Sequence, residues 1–281
     1  MDFFMNYKIV ADSCCDMNPE LREKWNLVSV PLIMTLGDKC FTDNENLDLE
    51  QYMQEMKECK SKIGSAAPAP ALYKDAFEGE HTSFGITLSS RLSGSYGSAM
   101  AGKAMAEEEG KADVHVFDSK SASAGEILIA LKIRKLIEAG KHKLEIIPTV
   151  EKFINEMKTY FVIDNIDNLL KNGRLNKITG KIISMLGIKP IMGADKDGNI
   201  ALFSQARGIG KVIDKLAGMI ESSGKNTEGE SMVITHCNNK SLAERLKDTI
   251  KERYRFKEIL VLPTKGLSSM YVNDQGVIMS F

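Results

Sequence analysis

The run Leu88-Ser89-Ser90-Arg91-Leu92-Ser93-Gly94-Ser95-Tyr96 packs hydroxyls between two apolar stretches. Residues 83–88 read as a strand, and residues 98–109, rich in alanine and methionine, read as a helix. A helix start presents free backbone N–H groups and the positive end of the helix dipole, so it favours an anion. The hydroxyls of Ser93 and Ser95 can add donors, and Gly94 lets the backbone approach closely. The carboxylate of a small buried ligand suits that chemistry. Serine at such a place also caps a helix, and the local pattern admits both readings.

Two further residues could assist. Ser65 stands in Gly64-Ser65-Ala66-Ala67-Pro68-Ala69-Pro70. The two prolines predict an extended loop, from which a serine bonds either a ligand or its own turn. Arg174, in Lys171-Asn172-Gly173-Arg174-Leu175, reads by residue type alone as a surface arginine. The 15 methionines suit an adaptable apolar cavity and equally an ordinary core.

Familiar catalytic patterns do not fit. Gly180-Lys181 and Gly224-Lys225 lack the upstream glycine and the following hydroxyl of a phosphate-binding loop. Gly208-Ile209-Gly210 lacks the third glycine of a dinucleotide fingerprint. Asp12 and Asp16 are too far apart for a D-x-D phosphatase loop. Ser93 does not sit in a G-x-S-x-G elbow. A serine esterase or phosphatase built on Ser93 would need a base, and of the 4 histidines only His236 falls at an expected strand end. The 5 cysteines are odd in number and form no C-x-x-C, so neither zinc nor disulfides are expected.

The elements that must carry these residues alternate. Strands are expected at 7–11, 27–34, 83–88 and 114–117. Helices are expected at 21–25, 47–58, 71–77, 98–109, 125–138 and 146–160, the last with Pro148-Thr149 as its start signal. This implies an α/β fold with a mostly parallel N-terminal sheet flanked by helices. Ligands in such folds bind beyond the carboxyl ends of the strands. The loops at Asp12, Ser65, Ser89 and Asp118 are then candidates to gather on one edge. The second half reads as a mixed α/β domain. Its expected strands lie at 161–163, 188–192, 200–203, 232–235, 259–262 and 277–281. Its helices lie at 166–170, 177–185, 208–220 and 242–254. Asp197-Gly198 is a strong hairpin signal between two of the strands. The division expected is an N-terminal domain, 1–160, carrying the carboxylate-binding loops, and a C-terminal domain, 161–281.

Bulk properties narrow the classes. In 281 residues, 43% are apolar and 27% charged, enough for a real core. A net charge of −1 gives no basic excess to meet nucleic-acid phosphates. No apolar run reaches the roughly 20 residues needed to span a bilayer. The first residues lack the basic cluster of a signal peptide, so a cytoplasmic protein is expected.

Taken in order, the segments resemble the DegV family. The likeness begins at Ala11-Asp12-Ser13 through Asp16. Residues 65–70 are similar to the family's T-S-x-P-S-P, and residues 90–96 to its S-x-L-S-G-T-Y. Val116-Phe117-Asp118-Ser119, Leu169 through Gly173-Arg174, Ile188-Lys189-Pro190 and Arg207 follow. The resemblance implies one DegV unit of two α/β domains enclosing a long-chain fatty acid such as palmitate. It implies a non-catalytic subunit that presents the carboxylate to a separate ATP-dependent fatty acid kinase, feeding phospholipid synthesis, with transient membrane contact. No cofactor beyond the fatty acid is implied. Ser65 and Ser93 would be carboxylate ligands, Gly94 and Ser95 part of the same turn, and Arg174 a helper at the head group or a contact for the kinase.

Two departures stand out. Ala66 replaces the second hydroxyl of the proline loop. The family's C-terminal G-V-H-x-G-P-G is replaced by Ser268-Ser269-Met270-Tyr271-Val272-Asn273-Asp274-Gln275-Gly276, where Tyr271 or Asn273 would stand in for the histidine. The competing readings are a lipid esterase or phosphatase using Ser93, and a lipid-responsive sensor docking some other protein.

Overall fold

Tyr7–Asp12 forms β1, a strand buried along nearly its whole length, and such a strand needs cover on both faces. The computed structural model describes residues 7–110, 112–175 and 187–281. After β1 come α1 (Pro19–Lys24), β2 (Leu27–Val30), β3 (Ile33–Leu36), β4 (Lys39–Thr42), α2 (Leu49–Glu58), β5 (Ile63–Ala66), α3 (Pro70–Phe77), β6 (Thr82–Thr87), α4 (Ser95–Glu108) and β7 (Asp113–Asp118). The parallel sheet runs β2-β1-β6-β7. On one face, α3 and α4 pack Tyr73, Phe77 and Ala99 against Val10, Val114 and Val116.

The other face is covered by α5 (Ala124–Glu138), followed by α6 (Lys143–Glu156). The chain continues through β8 (Thr159–Val162), α7 (Asp167–Lys171), β9 (Ile188–Ala194), β10 (Ile200–Arg207), α8 (Ile209–Ser222), β11 (Ser231–His236), α9 (Lys240–Arg253), β12 (Glu258–Pro263), α10 (Gly266–Val272) and β13 (Val277–Ser280). These strands form a second sheet, β10-β9-β8-β13-β11-β12, in which only β11 and β12 run parallel. Helix α5 touches β1 and β6 of the first sheet and β11 and β13 of the second. That position explains why every residue from Ala124 to Leu131 is buried: the helix has a sheet on either side. Helices α8 and α9 cover the far face of the second sheet.

The structure departs from the sequence reading at five places. The strand expected at 27–34 is broken at Pro31-Leu32 into β2 and β3, which join different sheets. Proline has no N–H to continue the ladder. The loop expected at 64–70 begins as β5, antiparallel to β3 with Met34 opposite Ser65. The helix expected at 146–160 starts earlier, capped by His142, carries Pro148 in its interior and stops at Glu156. The strand expected at 277–281 is present as β13 and lies in the middle of its sheet, between β8 and β11. The short helix α10 and strand β4 were not expected. The helix expected at 177–185 lies outside the described residues.

Candidate functional site

Between the two sheets lies a cavity with about 840 Å³ of empty space counted out to its mouth. Its walls are mostly apolar, with Leu32, Leu88, Leu92, Phe161, Ile200 and Ile278 among them. Four of the residues singled out from sequence line it: Ser65, Ser93, Arg174 and Tyr271. They come from β5, the turn before α4, the turn after α7, and α10.

Two of the four are bonded to each other, and the other two meet at the backbone beside Leu92. Ser65 Oγ and Tyr271 OH share a hydrogen bond of 2.9 Å. Arg174 Nε donates to Leu92 O at 3.0 Å, beside Ser93, and its guanidinium also donates to Asn172 O. Both partners are neutral carbonyls, and no carboxylate pairs with Arg174 among the described residues. Ser93 Oγ accepts from Ser95 N at 3.1 Å, so its own proton stays free for another acceptor. The N-cap position of α4 is Gly94, which has no side chain, and Ser93 Oγ takes the N–H of Ser95, the first residue of the helix, so Ser93 serves the helix start with its acceptor and keeps its proton for a ligand.

Three expected site residues do not reach the cavity. Gly94 stands at the helix start, where an added Cβ would be in ordinary contact with Ala67, 3.7 Å away. Ser95 is buried, donates to Asp12 Oδ2 at 2.6 Å and meets Tyr73 OH at 2.6 Å. Asn273 caps α10; its amide donates to Asn165 O at 3.0 Å, and its Oδ1 accepts from Asn168 at 3.2 Å. Between the two candidates for the missing histidine, Tyr271 lines the cavity and Asn273 braces the chain behind it.

Buried carboxylates hold the loops that carry this group. Asp12, at the end of β1, accepts from Leu88 N at 2.9 Å, Cys14 N at 3.1 Å and Ser95 Oγ, so it clamps both ends of the serine-rich turn. Asp43 accepts from Gly266 N at 3.1 Å, Leu267 N at 3.0 Å and Ser13 Oγ at 2.8 Å. It thereby anchors the start of α10 and, with it, Tyr271. Gly266 must lack a side chain here, because a Cβ would lie 2.6 Å from Asp43 Oδ1. Asp16 accepts from Lys265 N at 2.7 Å and from Ser123 Oγ. Asp118 receives Ser90 N at 3.1 Å and Lys120 N at 3.0 Å. The loops at Asp12, Ser89 and Asp118 therefore do meet at the carboxyl ends of β1, β6 and β7, with Ser65 across the cavity.

Burial outweighs these hydrogen bonds in the acid layer. It pushes the Asp12 carboxyl up to about 6 and that of Asp16 up to about 7. The Asp43 carboxyl also rises, for the same reason. The Cys14 thiol is raised by burial and by the acids Glu126, Asp12 and Asp16, so it stays protonated. Sequence reading dismissed Asp12 and Asp16 as a phosphatase pair and gave no role to Asp43 or Glu126. No composition or spacing signal marks a carboxylate whose work is to accept backbone N–H groups from distant loops.

The hairpin of the second sheet closes the cavity. Gly198, at its tip, accepts from Ser89 Oγ at 2.8 Å through its carbonyl. Its φ is +86°, and an added Cβ would meet Ser89 Oγ at 2.4 Å and Lys120 Cα at 2.9 Å, so only glycine fits.

The chemistry on offer is binding. No histidine, aspartate or glutamate lines the cavity among the described residues. His236 lines a different, open groove with Asp48, Gln51 and Thr264, and its Nδ1 accepts from Asn239 N at 3.3 Å. A Ser93–His236 pair therefore has no support in the geometry. No described helix is long and apolar enough to cross a membrane.

Comparison with known proteins places this geometry. The profile of the family described as uncharacterised protein, DegV family, matches residues 6–278. A DegV domain-containing protein of Streptococcus gordonii is 33% identical over 280 residues, 99% of each chain. A DegV family protein from Ruminococcus gnavus, whose crystal structure holds vaccenic acid, superposes with a TM-score of 0.94 at 37% identity, over 98% of this chain and 99% of that one. The fatty acid kinase (Fak) B3 protein of Streptococcus pneumoniae, loaded with linoleic acid, gives a TM-score of 0.90 at 33% identity over 99% of both chains.

Proposed function

The chain belongs to the DegV family, and from that premise we propose that it binds one long-chain fatty acid, palmitate or a relative, in the cavity between its sheets. The carboxylate lies among Ser65, Ser93, Arg174 and Tyr271, and the acyl chain runs along the apolar walls. The observation that carries this reading is Arg174. Its guanidinium stands at an apolar cavity, bonded only to carbonyls, with no acid to balance its charge among the described residues. An anionic head group on an apolar tail supplies both missing complements.

The energetics agree. Burial of a sixteen-carbon chain yields on the order of 10 kcal/mol before entropic losses, at about 0.8 kcal/mol per methylene. Leaving the carboxylate unpaired in the same space would cost several kcal/mol. Charge-assisted bonds from the guanidinium and the hydroxyls offset that cost. The tail provides affinity, and the four polar groups fix which end points to the mouth.

On this reading the protein is a non-catalytic carrier in the cytoplasm. It presents the head group to a separate ATP-dependent kinase and returns acyl phosphate towards phospholipid synthesis, touching the membrane only in passing. It needs no cofactor of its own. The Tyr271 hydroxyl takes the place of the family's histidine as a hydrogen-bond donor.

The test pairs affinity with stability. Arg174→Met should weaken fatty-acid binding by roughly ten- to a hundredfold, the size of a lost hydrogen bond to a charged group. Ser93→Ala should weaken it several-fold while leaving the melting temperature nearly unchanged. A large fall in melting temperature with unaltered affinity would instead make both residues structural.

A further inference from the structure

We propose that Glu126 acts as a neutral carboxylic acid that donates a hydrogen bond to Asp12, and so positions the turn that presents Ser93. Its consequence for the ligand rests on the fatty-acid reading above. Glu126 lies in the first turn of α5, the helix enclosed by both sheets, and is fully buried. Neither of its carboxyl oxygens has a hydrogen-bond donor among the described residues. One of them lies within 4.8 Å of both a carboxyl oxygen of Asp12 and the Cys14 sulfur.

Two carboxylates this close, both out of water, cannot both be charged; one keeps its proton. The hydrogen bonds decide which. Asp12 already accepts from Leu88 N, Cys14 N and Ser95 Oγ, all of which favour its anion. A carboxylate has about four lone-pair sites, so roughly one remains. Against the three donors on Asp12, Glu126 has only the weak Cys14 thiol to stabilise a charge, and one acceptor, Asp12, within reach. The proton therefore belongs on Glu126, and the vacant site of Asp12 is where it points. Burial and the negative charge of Asp12 both drive the Glu126 carboxyl well above the usual carboxylate range.

The link to the ligand runs through Asp12. It holds Leu88 N at one end of the serine-rich turn and Ser95 Oγ at the other, with Ser93 between them. With Glu126 neutral, Asp12 keeps its three donors and the turn is fixed. With Glu126 ionised, two like charges meet behind the turn and push it open.

The other ionisable groups facing Glu126 are few. Asp16 and Asp12 act on it from the chain after β1 and at its end, and Cys14 lies beside it. Cys15 and Tyr73 feel its charge. Strands β6 and β13 bring no titratable side chain, β11 brings only His236, β1 adds Tyr7 and Lys8, and none of the ionisable side chains of α6 is buried.

The experiment compares the wild type with Glu126→Gln and Glu126→Leu in two measurements. The first is chemical unfolding as a function of pH. A raised carboxyl takes up a proton on folding, so it stabilises at low pH and loses that contribution as pH rises. The wild type should lose stability as pH rises above the ordinary carboxylate range, and Glu126→Gln, whose amide donates to Asp12 at every pH, should lose distinctly less. The second is palmitate affinity. Glu126→Gln should bind within about twofold of wild type, and Glu126→Leu, which leaves Asp12 without the donor, about tenfold more weakly. The proposal is overturned if Glu126→Gln keeps the wild-type pH slope, if Glu126→Leu binds palmitate as the wild type does, or if stoichiometric divalent metal is recovered from the wild type and lost in Glu126→Gln. If the wild type binds no fatty acid at all, the ligand reading fails, while the pH slopes still decide the role of Glu126.

Discussion

The group facing the cavity and the acid layer behind it are built on opposite principles. Ser65, Ser93, Arg174 and Tyr271 are half-buried, come from four separate segments, and make few bonds with one another. Asp12, Asp16, Asp43 and Glu126 are almost wholly enclosed, and the three aspartates accept backbone N–H groups or hydroxyls from distant loops. The first group has unused capacity for a ligand. The three aspartates of the second have almost none, because their capacity is spent on holding the first in place. Recognition is thus separated from support: affinity should follow the first set of residues and stability the second.

The largest expected effect lies in the support. Asp43→Ala strips the acceptor from Gly266 N, Leu267 N and Ser13 Oγ, leaving buried donors unpaired. At about 1–3 kcal/mol for each unsatisfied group, denaturant unfolding should reveal a loss of about 3 kcal/mol or more. Fatty-acid affinity should fall with it, since α10 carries Tyr271. Stability lost without any change in affinity would break the link between the two layers.

Next is the hairpin tip. Gly198→Val forces a side chain against Ser89 and Lys120 at positive φ. A loss of about 2 kcal/mol is expected from strain of this kind. Faster ligand exchange, read by stopped-flow with a fluorescent fatty acid, should accompany it.

Titration sharpens the contrast. The carboxyls of Asp12 and Asp16 are raised by burial to about 6 and about 7. Folding therefore takes up protons between the ordinary carboxylate range and those values. Stability should decline as pH rises from about 4 to about 7, and Asp16→Asn should flatten the upper part of that decline. A wild-type melting temperature that climbs across this interval would contradict the account of the acid layer.

The smallest effect separates neighbours. Tyr271→Phe removes the hydroxyl bonded to Ser65 and should weaken binding about fivefold, the value of one neutral hydrogen bond. Asn273→Ala, two residues on, should leave affinity unchanged and cost a little stability, because its amide braces Asn165 and Asn168. Equal effects on binding would erase the distinction drawn between them.

What was legible in the sequence follows the same division. Apolar runs announced β1, β6, β7 and α5, and Asp197-Gly198 announced the β9–β10 hairpin, because burial and turn chemistry are local properties. Ser93 was legible as a hydroxyl at a strand-to-helix turn, although its choice between cap and ligand was not. Ser65, Arg174 and Tyr271 became candidates together only through the ordered likeness to a family. Helix α10 was missed because Gly266-Leu267-Ser268-Ser269 looks like a loop, and its start is satisfied by Asp43, more than 200 residues away. Glu126 was hidden inside an apolar helix. A charged residue there is usually on the solvent face, and only the sheet on each side of α5 denies it one.

The central claim is that the cavity holds one fatty acid by its carboxylate. Native mass spectrometry of the purified protein, followed by organic extraction of the same sample, tests it most directly. The account predicts one bound fatty acid per chain, retained in the wild type and depleted in Arg174→Met. A cavity that stays empty in the wild type, even after exposure to saturated and unsaturated long-chain acids, would contradict it.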